Sequence, residues 1–383
     1  MLLEETDRYQ LHRRGRYLYA ALARPHRVLS TCRINGGLRE DLTHVANHQG
    51  CEGVAHDPRG ATAVDEGPDG YHVRACEDAG LPPACTALMA TAANMQCAVL
   101  GRAAEGDLAV TVAATAGVLG NATRAGDRAG WVECEEGCRA RAAAPETAPP
   151  ERGAGTIVTL VFINQPCTPA CLVRAATLVT EGKSAAVLDL RVASRQSSAL
   201  ATGTGTDQLA IAAPLAREDE WERQWAGGHN LLGELLGRAT HQAVTRSLLL
   251  QNGLCPELRR NLCGALGRHG CDEQALCRAA ERWLAADLAE VFARNLQALV
   301  HDPLSAAAAF ALAEVLDLAR DGVLHAEVAR EAVLNQAAQL GAAVAVRPDA
   351  FVALRERLLA EPGLAPAELA ALAVVEGFAR KWN

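Results

Sequence analysis

The chain has 383 residues, of which 50% are apolar and 21% charged, and its formal net charge is −8. This composition supplies enough apolar material for a packed core and excludes a globally disordered chain. The acidic balance and the 4% aromatic content argue against a nucleic-acid-binding protein, which needs basic surface and often stacking rings. No signal peptide is recognised, and no apolar run reaches the ~18 residues of a membrane span. We therefore expect a soluble, cytoplasmic protein without membrane contact.

Up to about residue 215, the sequence alternates between short strands and helices. Residues 1–25 are arginine-rich and are predicted to form a strand or the start of a helix. Short β-branched or apolar runs predict strands at 27–29, 108–113, 156–163 and 208–213. Helical spacing predicts helices at 38–48, 85–99, 169–180 and 184–193. Residues 139–155 are rich in Ala, Pro and Gly, which predicts a loop. The alternation predicts an α/β or α+β layered domain, a mixed sheet with helices.

Beyond about residue 218, Gly and Thr become rare, and Ala, Leu, Glu and Arg repeat at helical spacing. Helices are predicted at 219–226, 229–251, 256–268, 272–299, 303–320, 324–339, 348–360 and 366–379. We therefore divide the chain into a catalytic domain, residues 1–252, and an all-α C-terminal extension, residues 253–383. The extension is expected to form a homo-oligomer interface, cover the site or bind another protein, and these alternatives stay open.

Thirteen cysteines in a chain without an export signal predict reduced thiols that mostly act as small apolar core residues. Cys134 and Cys138 are separated by three residues, as are Cys167 and Cys171. The two-residue separation that is typical of many zinc sites is missing from both pairs. We therefore expect no metal site.

Four loops are dense in Gly, Thr, Ser and Asn, at residues 30–37, 86–94, 115–127 and 201–207. Each offers hydroxyls and backbone N–H groups that suit binding of an anion or a carbonyl group and stabilisation of an oxyanion. One such loop is usually an ordinary turn, but four in one domain favour a functional site. The P-loop, the G-x-G-x-x-G dinucleotide fingerprint and the G-x-S-x-G nucleophile elbow are not present in the sequence.

Lysine occurs only at Lys183 and Lys381, which singles out Lys183 in a chain that otherwise uses arginine. Lysine differs chemically from arginine because burial readily lowers its pKa. Glu181 lies two residues away, so the two side chains diverge on a helix but share a cleft if the segment is extended. Such a pair is most often a solvated ion pair. The functional alternative is a general acid or base beside a charge that stabilises an oxyanion.

Several of these motifs belong to longer segments that follow one another in a recognisable order. They are STCRINGG (30–37), MATAANM (89–95), ATAGVLGNATRAGD (114–127), GTIVTLVFINQPCTPACLVRAATLVTEGKSAAVLDL (155–190), ATGTGTDQLAIA (201–212) and GHNLLGELLGR (228–238). Together with Asn47 in VANH, they resemble the adenosylcobinamide amidohydrolases of corrinoid salvage over roughly residues 26–250. The chain departs from that family pattern at four positions: Asn94 replaces Asp, Val158 replaces Asn, Gly182 replaces Ala, and Cys32 replaces a small residue.

The resemblance implies hydrolysis of the amide between aminopropanol and a corrin propionate of adenosylcobinamide, giving adenosylcobyric acid. The corrinoid is then the substrate, and no cofactor is expected. Asp207 or Glu181 is expected as general base, and Lys183 as oxyanion or acid partner. The nucleophile is Thr204, Thr206 or a water molecule, and the backbone of Gly203 and Gly205 forms the oxyanion pocket. Substrate contacts are expected from Ser30, Thr31, Asn35, Gly36, Gly37, Asn94, Thr115, Gly117, Asn121, Asp127, Thr202, Gly203, Gly205 and His229.

Three alternatives stay open. The first is a hydrolase on the same scaffold that acts on a different amide, which the departures at Asn94 and Gly182 would explain. The second is a corrinoid carrier or regulator that binds without turnover. The third is a purely structural interaction protein, which the density of Gly- and Thr-rich loops disfavours most.

Overall fold

The computed structural model describes residues 1–51, 67–135, 137–141 and 155–381. The chain forms two compact units, Met1–Cys255 and Pro256–Asn383. The first contains mixed sheets with helices and the second contains helices, which confirms the predicted fold class. Most of the predicted loop at 139–155 lies outside the described residues.

The described strands belong to the first unit. They are β1 (Leu2–Glu5), β2 (Tyr9–Arg14), β3 (Tyr17–Leu22), β4 (His26–Ser30), β5 (Gly37–Arg39), β6 (His44–Gln49), β7 (Thr86–Thr91), β8 (Val99–Glu105), β9 (Leu108–Ala116), β10 (Ala122–Thr123), β11 (Trp131–Cys134), β12 (Gly137–Ala140), β13 (Ile157–Ile163), β14 (Gly203–Thr204) and β15 (Gln208–Pro214). One sheet has the order β1-β2-β3-β6-β7 and the other β5-β4-β15-β13-β9-β8. Two short antiparallel ribbons, β10 with β14 and β11 with β12, complete the pairing.

The helices of the first unit are α1 (Gly67–Ala79), α2 (Pro169–Asp189) and α3 (Leu231–Asn252). One apolar cluster joins the two sheets, and another joins the six-stranded sheet to α2 and α3. A third lies between α1 and the five-stranded sheet. The layers are therefore helix, sheet, sheet and helices. All seven residues of β13 are buried, because both faces of that central strand are covered.

The second unit contains α4 (Leu262–Leu266), α5 (Glu273–Trp283), α6 (Ala286–Arg294), α7 (Leu296–Val300), α8 (Pro303–Arg320), α9 (Ala326–Ala345), α10 (Phe351–Leu359) and α11 (Pro366–Ala379). These helices share one apolar core. Small residues let α9 and α11 approach closely, since a Cβ on Gly377 would lie 2.3 Å from the carbonyl oxygen of Gly341.

Several element predictions were confirmed, among them the strands near 27–29, 108–113, 156–163 and 208–213 and the helices 303–320 and 366–379. Others were wrong. Residues 38–48 contain β5 and β6 rather than a helix, and 85–99 contain β7. Residues 219–226 are irregular instead of helical. Of the two alternatives for residues 1–25, the strand is the one found, as three strands. The predicted helices at 169–180 and 184–193 are one helix, α2, because Gly182 contacts a neighbouring helix instead of ending its own. Residues 272–299 contain three helices rather than one.

Candidate functional site

Strand pairing brings the glycine- and threonine-rich loops to one edge of the six-stranded sheet. β13 and β15 run parallel, and β9 runs antiparallel to β13 with Ala116 opposite Ile157. The end of β9 therefore lies beside the start of β13 and, next to it, the start of β15. β4 also ends here, because Ser30 is paired with Ala210. The end of β7 reaches the same edge, where Gln208 Nε2 donates to the carbonyl of Ala90, a residue of β7, at 3.1 Å.

An ion pair between Lys183 and Asp207 lies at this edge. Lys183 lies on α2, and Asp207 is the residue immediately before β15. The two side chains, 13% and 18% exposed, bring Nζ within 2.6 Å of Oδ2. Lys183 Nζ also donates to the Thr202 carbonyl at 3.0 Å. The lysine singled out by the sequence is thus a largely buried cation with two fixed acceptors.

The Asp207 carboxylate accepts four hydrogen bonds. Besides Lys183, its Oδ2 accepts the Thr204 backbone N–H at 3.0 Å. Its Oδ1 accepts the Thr204 hydroxyl at 2.5 Å and the Ile157 backbone N–H at 3.1 Å. Four donors of this kind hold a carboxylate in one orientation. Asp207 is therefore positioned to receive a proton from the Thr204 hydroxyl, which already points at it.

Gly203 is required by this packing. A Cβ at that position would lie 2.2 Å from Asp207 Oδ2 and 2.3 Å from Lys183 Nζ. No side chain larger than hydrogen fits there without separating the ion pair. Gly205 is less constrained, because the nearest atom to its Cβ would be Asn121 Oδ1 at 3.4 Å.

Glu181 is not part of this cluster. α2 continues through both residues, so side chains two positions apart point to different sides. Glu181 is exposed and lines an open groove of about 630 Å³ that also involves Arg238 and His241. The segment is helical, so of the two alternatives for Glu181 and Lys183 the structure shows diverging side chains and not a shared cleft.

Thr206 and Asn121 hold the loop around Thr204. The Thr206 hydroxyl donates to the Gly155 carbonyl at 3.0 Å and lies 2.7 Å from the Thr156 hydroxyl. Asn121 Nδ2 donates to the same carbonyl at 3.1 Å and to Thr206 Oγ1 at 3.3 Å. Both side chains therefore have a local structural partner next to the ion pair.

Asp127 and Thr202 fasten the loops on the other side of Gly203. Asp127 Oδ2 accepts from the Ser194 hydroxyl at 2.5 Å, the Arg124 N–H at 2.8 Å and the Thr123 hydroxyl at 3.2 Å. Burial raises the pKa of Asp127, but hydrogen bonds from the serines, Arg124 and Thr123 outweigh it, so the pKa lies below its ordinary value. Thr202 Oγ1 accepts the Ala125 N–H at 2.9 Å.

The first loop is shaped by its own contacts. Asn35 has a left-handed backbone, φ 55°, and its Nδ2 donates to two carbonyls, those of Pro83 and Thr86. A Cβ on Gly36 would overlap the Cys32 carbonyl, and Gly37 has φ +77°. Asn35 is thus held by the fold, which differs from the expectation of a side chain open to substrate amides.

The remaining predicted binding residues occupy varied positions. The Thr31 hydroxyl lies 3.0 Å from the Leu209 N–H, which donates to it. Asn94 caps a short helical turn by accepting the Gln96 N–H. Thr115 Oγ1 accepts Asn47 Nδ2 at 2.9 Å in the buried space between the sheets. The other three are Ser30, buried at the end of β4, Gly117, whose N–H donates to the Thr156 carbonyl, and His229, exposed just before α3.

Two residues of the site were missed by the sequence analysis. Ser184 follows Lys183 and donates its hydroxyl to the same Thr202 carbonyl, at 2.9 Å. Thr156, after the glycine of the GTIV segment, contacts Thr206. The available signal for Ser184 was its position next to Lys183, whereas for Thr156 it was only membership of a segment that resembles the family, because Thr156 and Thr206 are 50 residues apart.

In the described part of the chain, no three His, Cys, Asp or Glu side chains are grouped so that they could hold a metal ion. Cys134 and Cys138 lie in the β11–β12 ribbon, where Cys134 is paired with Gly137 and Cys138 with Glu133. None of the helices among residues 1–51, 67–135, 137–141 and 155–381 has the length and apolar character needed to cross a membrane.

Comparison with known proteins relates most of this unit to one family. A family model described as adenosylcobinamide amidohydrolase matches residues 2–256. An uncharacterized protein of Methanocaldococcus jannaschii is 27% identical over 184 residues, which are 48% of this chain and 70% of that protein. A crystal structure of a Pyrococcus horikoshii OT3 protein covers 65% of this chain and 82% of its own, at 12% identity and a TM-score of 0.29.

Proposed function

We propose the following reaction for this chain, which belongs to the adenosylcobinamide amidohydrolase family. It hydrolyses the amide between aminopropanol and a propionate arm of the corrin ring. The products are adenosylcobyric acid and (R)-1-amino-2-propanol. The corrinoid is the substrate, and the chemistry comes from the chain's own side chains.

One observation carries the proposal: a lysine ammonium and a threonine hydroxyl are bonded to one carboxylate. Amide hydrolysis needs a base for the nucleophile, a charge for the oxyanion and an acid for the departing amine. Asp207 accepts the Thr204 hydroxyl at 2.5 Å and Lys183 Nζ at 2.6 Å. Asp207 thus supplies a proton acceptor that contacts both a hydroxyl and a proton donor.

The surrounding loops supply hydrogen-bonding groups suited to a large substrate whose rim carries amides. Thr31 and Asn94 are exposed, and both lie in loops that reach the edge of the sheet where the ion pair is found. Hydroxyls and amides of this kind exchange donors and acceptors with substrate amides. We assign substrate contacts to these loops, and we assign Asn35 and Asp127 to holding the loops in shape.

The helical unit Pro256–Asn383 lies outside the residues that the family model matches, apart from Pro256 itself. We propose that it contacts a second copy of the chain or another protein. Its described cysteines and its apolar residues pack in one core, and we assign it no step of the reaction.

The test is incubation of the purified full chain with adenosylcobinamide, followed by liquid chromatography and mass spectrometry. Equal amounts of adenosylcobyric acid and aminopropanol are expected, and Lys183→Ala should release neither. Thr177→Ala is the matched control, because Thr177 is exposed on α2 and bonds only within that helix. Tight corrinoid binding without product would instead indicate a carrier or regulator. Release of amine from another amide alone would indicate a different substrate.

A further inference from the structure

The hydroxyl groups around the ion pair differ in what they donate to. Ser184 donates to the Thr202 carbonyl and Thr206 to the Gly155 carbonyl. An amide carbonyl is too weak a base to take a hydroxyl proton. Thr204 donates at 2.5 Å to a carboxylate that also contacts an ammonium group. Thr204 is therefore the hydroxyl of this cluster with a base in place, which is the arrangement of an activated nucleophile.

Asp127 is the nearest rival, because it also accepts hydroxyls. The Ser194 hydroxyl donates to Asp127 at 2.5 Å, but Ser194 Oγ also accepts the Gln196 N–H, at 3.0 Å. The described ion-pair and hydrogen-bond partners of Asp127 include no ammonium group. Asp127 thus fits a structural role and Asp207 a catalytic one.

Two backbone N–H groups beside Thr204 are only weakly engaged. The Gly205 N–H reaches the Asn121 carbonyl at 3.4 Å, and the Thr206 N–H reaches Thr204 Oγ1 at 3.4 Å. Both distances lie beyond the usual 2.7–3.2 Å range. N–H groups that follow the nucleophile in sequence commonly bind the oxyanion in hydrolases. Here both N–H groups can form shorter hydrogen bonds to the oxyanion that arises when the substrate's carbonyl carbon bonds to Thr204. The oxyanion donors are then the N–H groups of Gly205 and Thr206, so Gly205 is retained and Thr206 replaces Gly203.

Lys183 has one hydrogen left for the substrate. An ammonium group has three hydrogens, and the described residues engage two of them, at Thr202 and Asp207. The third is available for the nitrogen of the amide. A lysine and a hydroxyl nucleophile form a known minimal pair in amide hydrolysis.

From these contacts we infer that Thr204 is the nucleophile and that hydrolysis passes through an ester between the corrin propionate and Thr204, an inference that rests on the proposed function. The Thr204 oxygen bonds to the amide carbon while its proton passes to Asp207. The carbon–nitrogen bond then breaks as Lys183 protonates the nitrogen, and aminopropanol leaves. The Asp207 proton moves to the neutral lysine across their 2.6 Å contact. Water then attacks the ester, its proton passes through Asp207 to the Thr204 oxygen, and adenosylcobyric acid is released.

Hydroxylamine tests the ester on the wild-type chain. An ester intermediate is captured as the corrin hydroxamate, whereas the first-turnover rate of aminopropanol release stays unchanged because that step precedes capture. Absence of hydroxamate, or a first-turnover release rate that rises with hydroxylamine concentration, would overturn the inference. Failure of the proposed function is distinct, since no aminopropanol would then appear with or without hydroxylamine.

Two variants complete the test. Thr204→Ala should lose at least ~1,000-fold in aminopropanol release, and Thr204→Ser should retain activity within about 10-fold because it keeps the hydroxyl. Circular dichroism checks that each variant is folded, and Thr177→Ala is the control for removal of a threonine hydroxyl. A folded Thr204→Ala that keeps more than about one tenth of the wild-type rate would assign the attack to water.

Discussion

Gly203→Ala tests how closely the Lys183–Asp207 ion pair packs against the backbone of Gly203. The added Cβ would lie 2.2 Å from Asp207 Oδ2 and 2.3 Å from Lys183 Nζ, whereas real Cβ contacts essentially never fall below 3.0 Å. Each charged atom must therefore retreat by about 1 Å, or the loop must shift by as much. Asp207 Oδ2 and Lys183 Nζ form an ion pair at 2.6 Å, so the added methyl group would push the two atoms apart.

The expected loss follows from that displacement. A misplacement of about 1 Å in a catalytic group costs on the order of 100-fold in rate, equivalent to about 2.7 kcal/mol in the activation barrier. We expect kcat/KM for aminopropanol release to fall by that factor, and the urea midpoint to fall because a largely buried ion pair is disturbed. The assay is aminopropanol release from adenosylcobinamide, measured beside urea unfolding.

The control is Gly267→Ala in the second unit. Gly267 has helical dihedral angles, φ −59° and ψ −38°, and its Cβ would meet nothing within 4 Å. That variant should keep wild-type activity. A folded Gly203→Ala variant with kcat/KM within about 3-fold of wild type, a difference of only ~0.7 kcal/mol, would refute the close packing of Lys183 against Asp207.

Three further predictions concern stability. Gly182→Ala should cost about 1–3 kcal/mol in the free energy of unfolding, because its Cβ would lie 2.9 Å from the Gly237 carbonyl oxygen; an unchanged urea midpoint would contradict this. Burial lowers the pKa of His48 to about 4, and its Nδ1 lies 2.7 Å from Tyr71 Oη. Since the unfolded chain then takes up the proton first, His48 should contribute a stability loss of about 1.4 kcal/mol per pH unit as pH falls from about 6.5 towards 4. In urea unfolding at several pH values, the free energy of unfolding of His48→Phe should lack this dependence on pH. Equal slopes for the variant and the wild type would contradict the role of His48. Asp127→Asn should destabilise the chain by about 1–3 kcal/mol at pH 7. Because the pKa of Asp127 is lowered, the difference from wild type should be fully present at pH 7 and should shrink as pH falls below about 4 and through that lowered pKa; thermal unfolding at pH 7 and pH 3 checks this.

The predicted elements succeeded where local patterns and tertiary structure agree. β13 is a continuous apolar run, and a central strand covered on both faces needs that composition. The helix at 303–320 starts with proline after the capping residue Asp302, a strong local signal. In such segments the nearest residues in sequence already determine the structure.

The failed predictions lie where packing overrides local preference. β7 has the sequence TALMAT, whose Ala, Leu and Met favour a helix, yet five of its six residues are buried in a strand. β6 is similarly covered on both faces, so the alternation expected of a strand is hidden. α2 has the opposite problem, because Gly182 suggests a break but supports a close approach of α3.

The site was partly predictable for similar reasons. Lysine scarcity marked Lys183, and the GTGTD motif marked Asp207 and Thr204. Their contacts were not predictable, because 24 residues separate Lys183 from Asp207 and only the pairing of β13 with β15 brings α2 beside that loop. The structure also places Glu181 outside the ion-pair cluster, which local spacing alone could not decide.

The most direct measurement compares aminopropanol release from adenosylcobinamide by the wild-type chain, Lys183→Met and Asp207→Asn. We predict that the wild type releases aminopropanol and adenosylcobyric acid in equal amounts. Both folded variants should be slower by at least ~1,000-fold, because one loses the ammonium and the other the carboxylate that receives the proton. A folded variant of either kind that stays within about 10-fold of the wild-type rate would contradict a catalytic role for the Lys183–Asp207–Thr204 group.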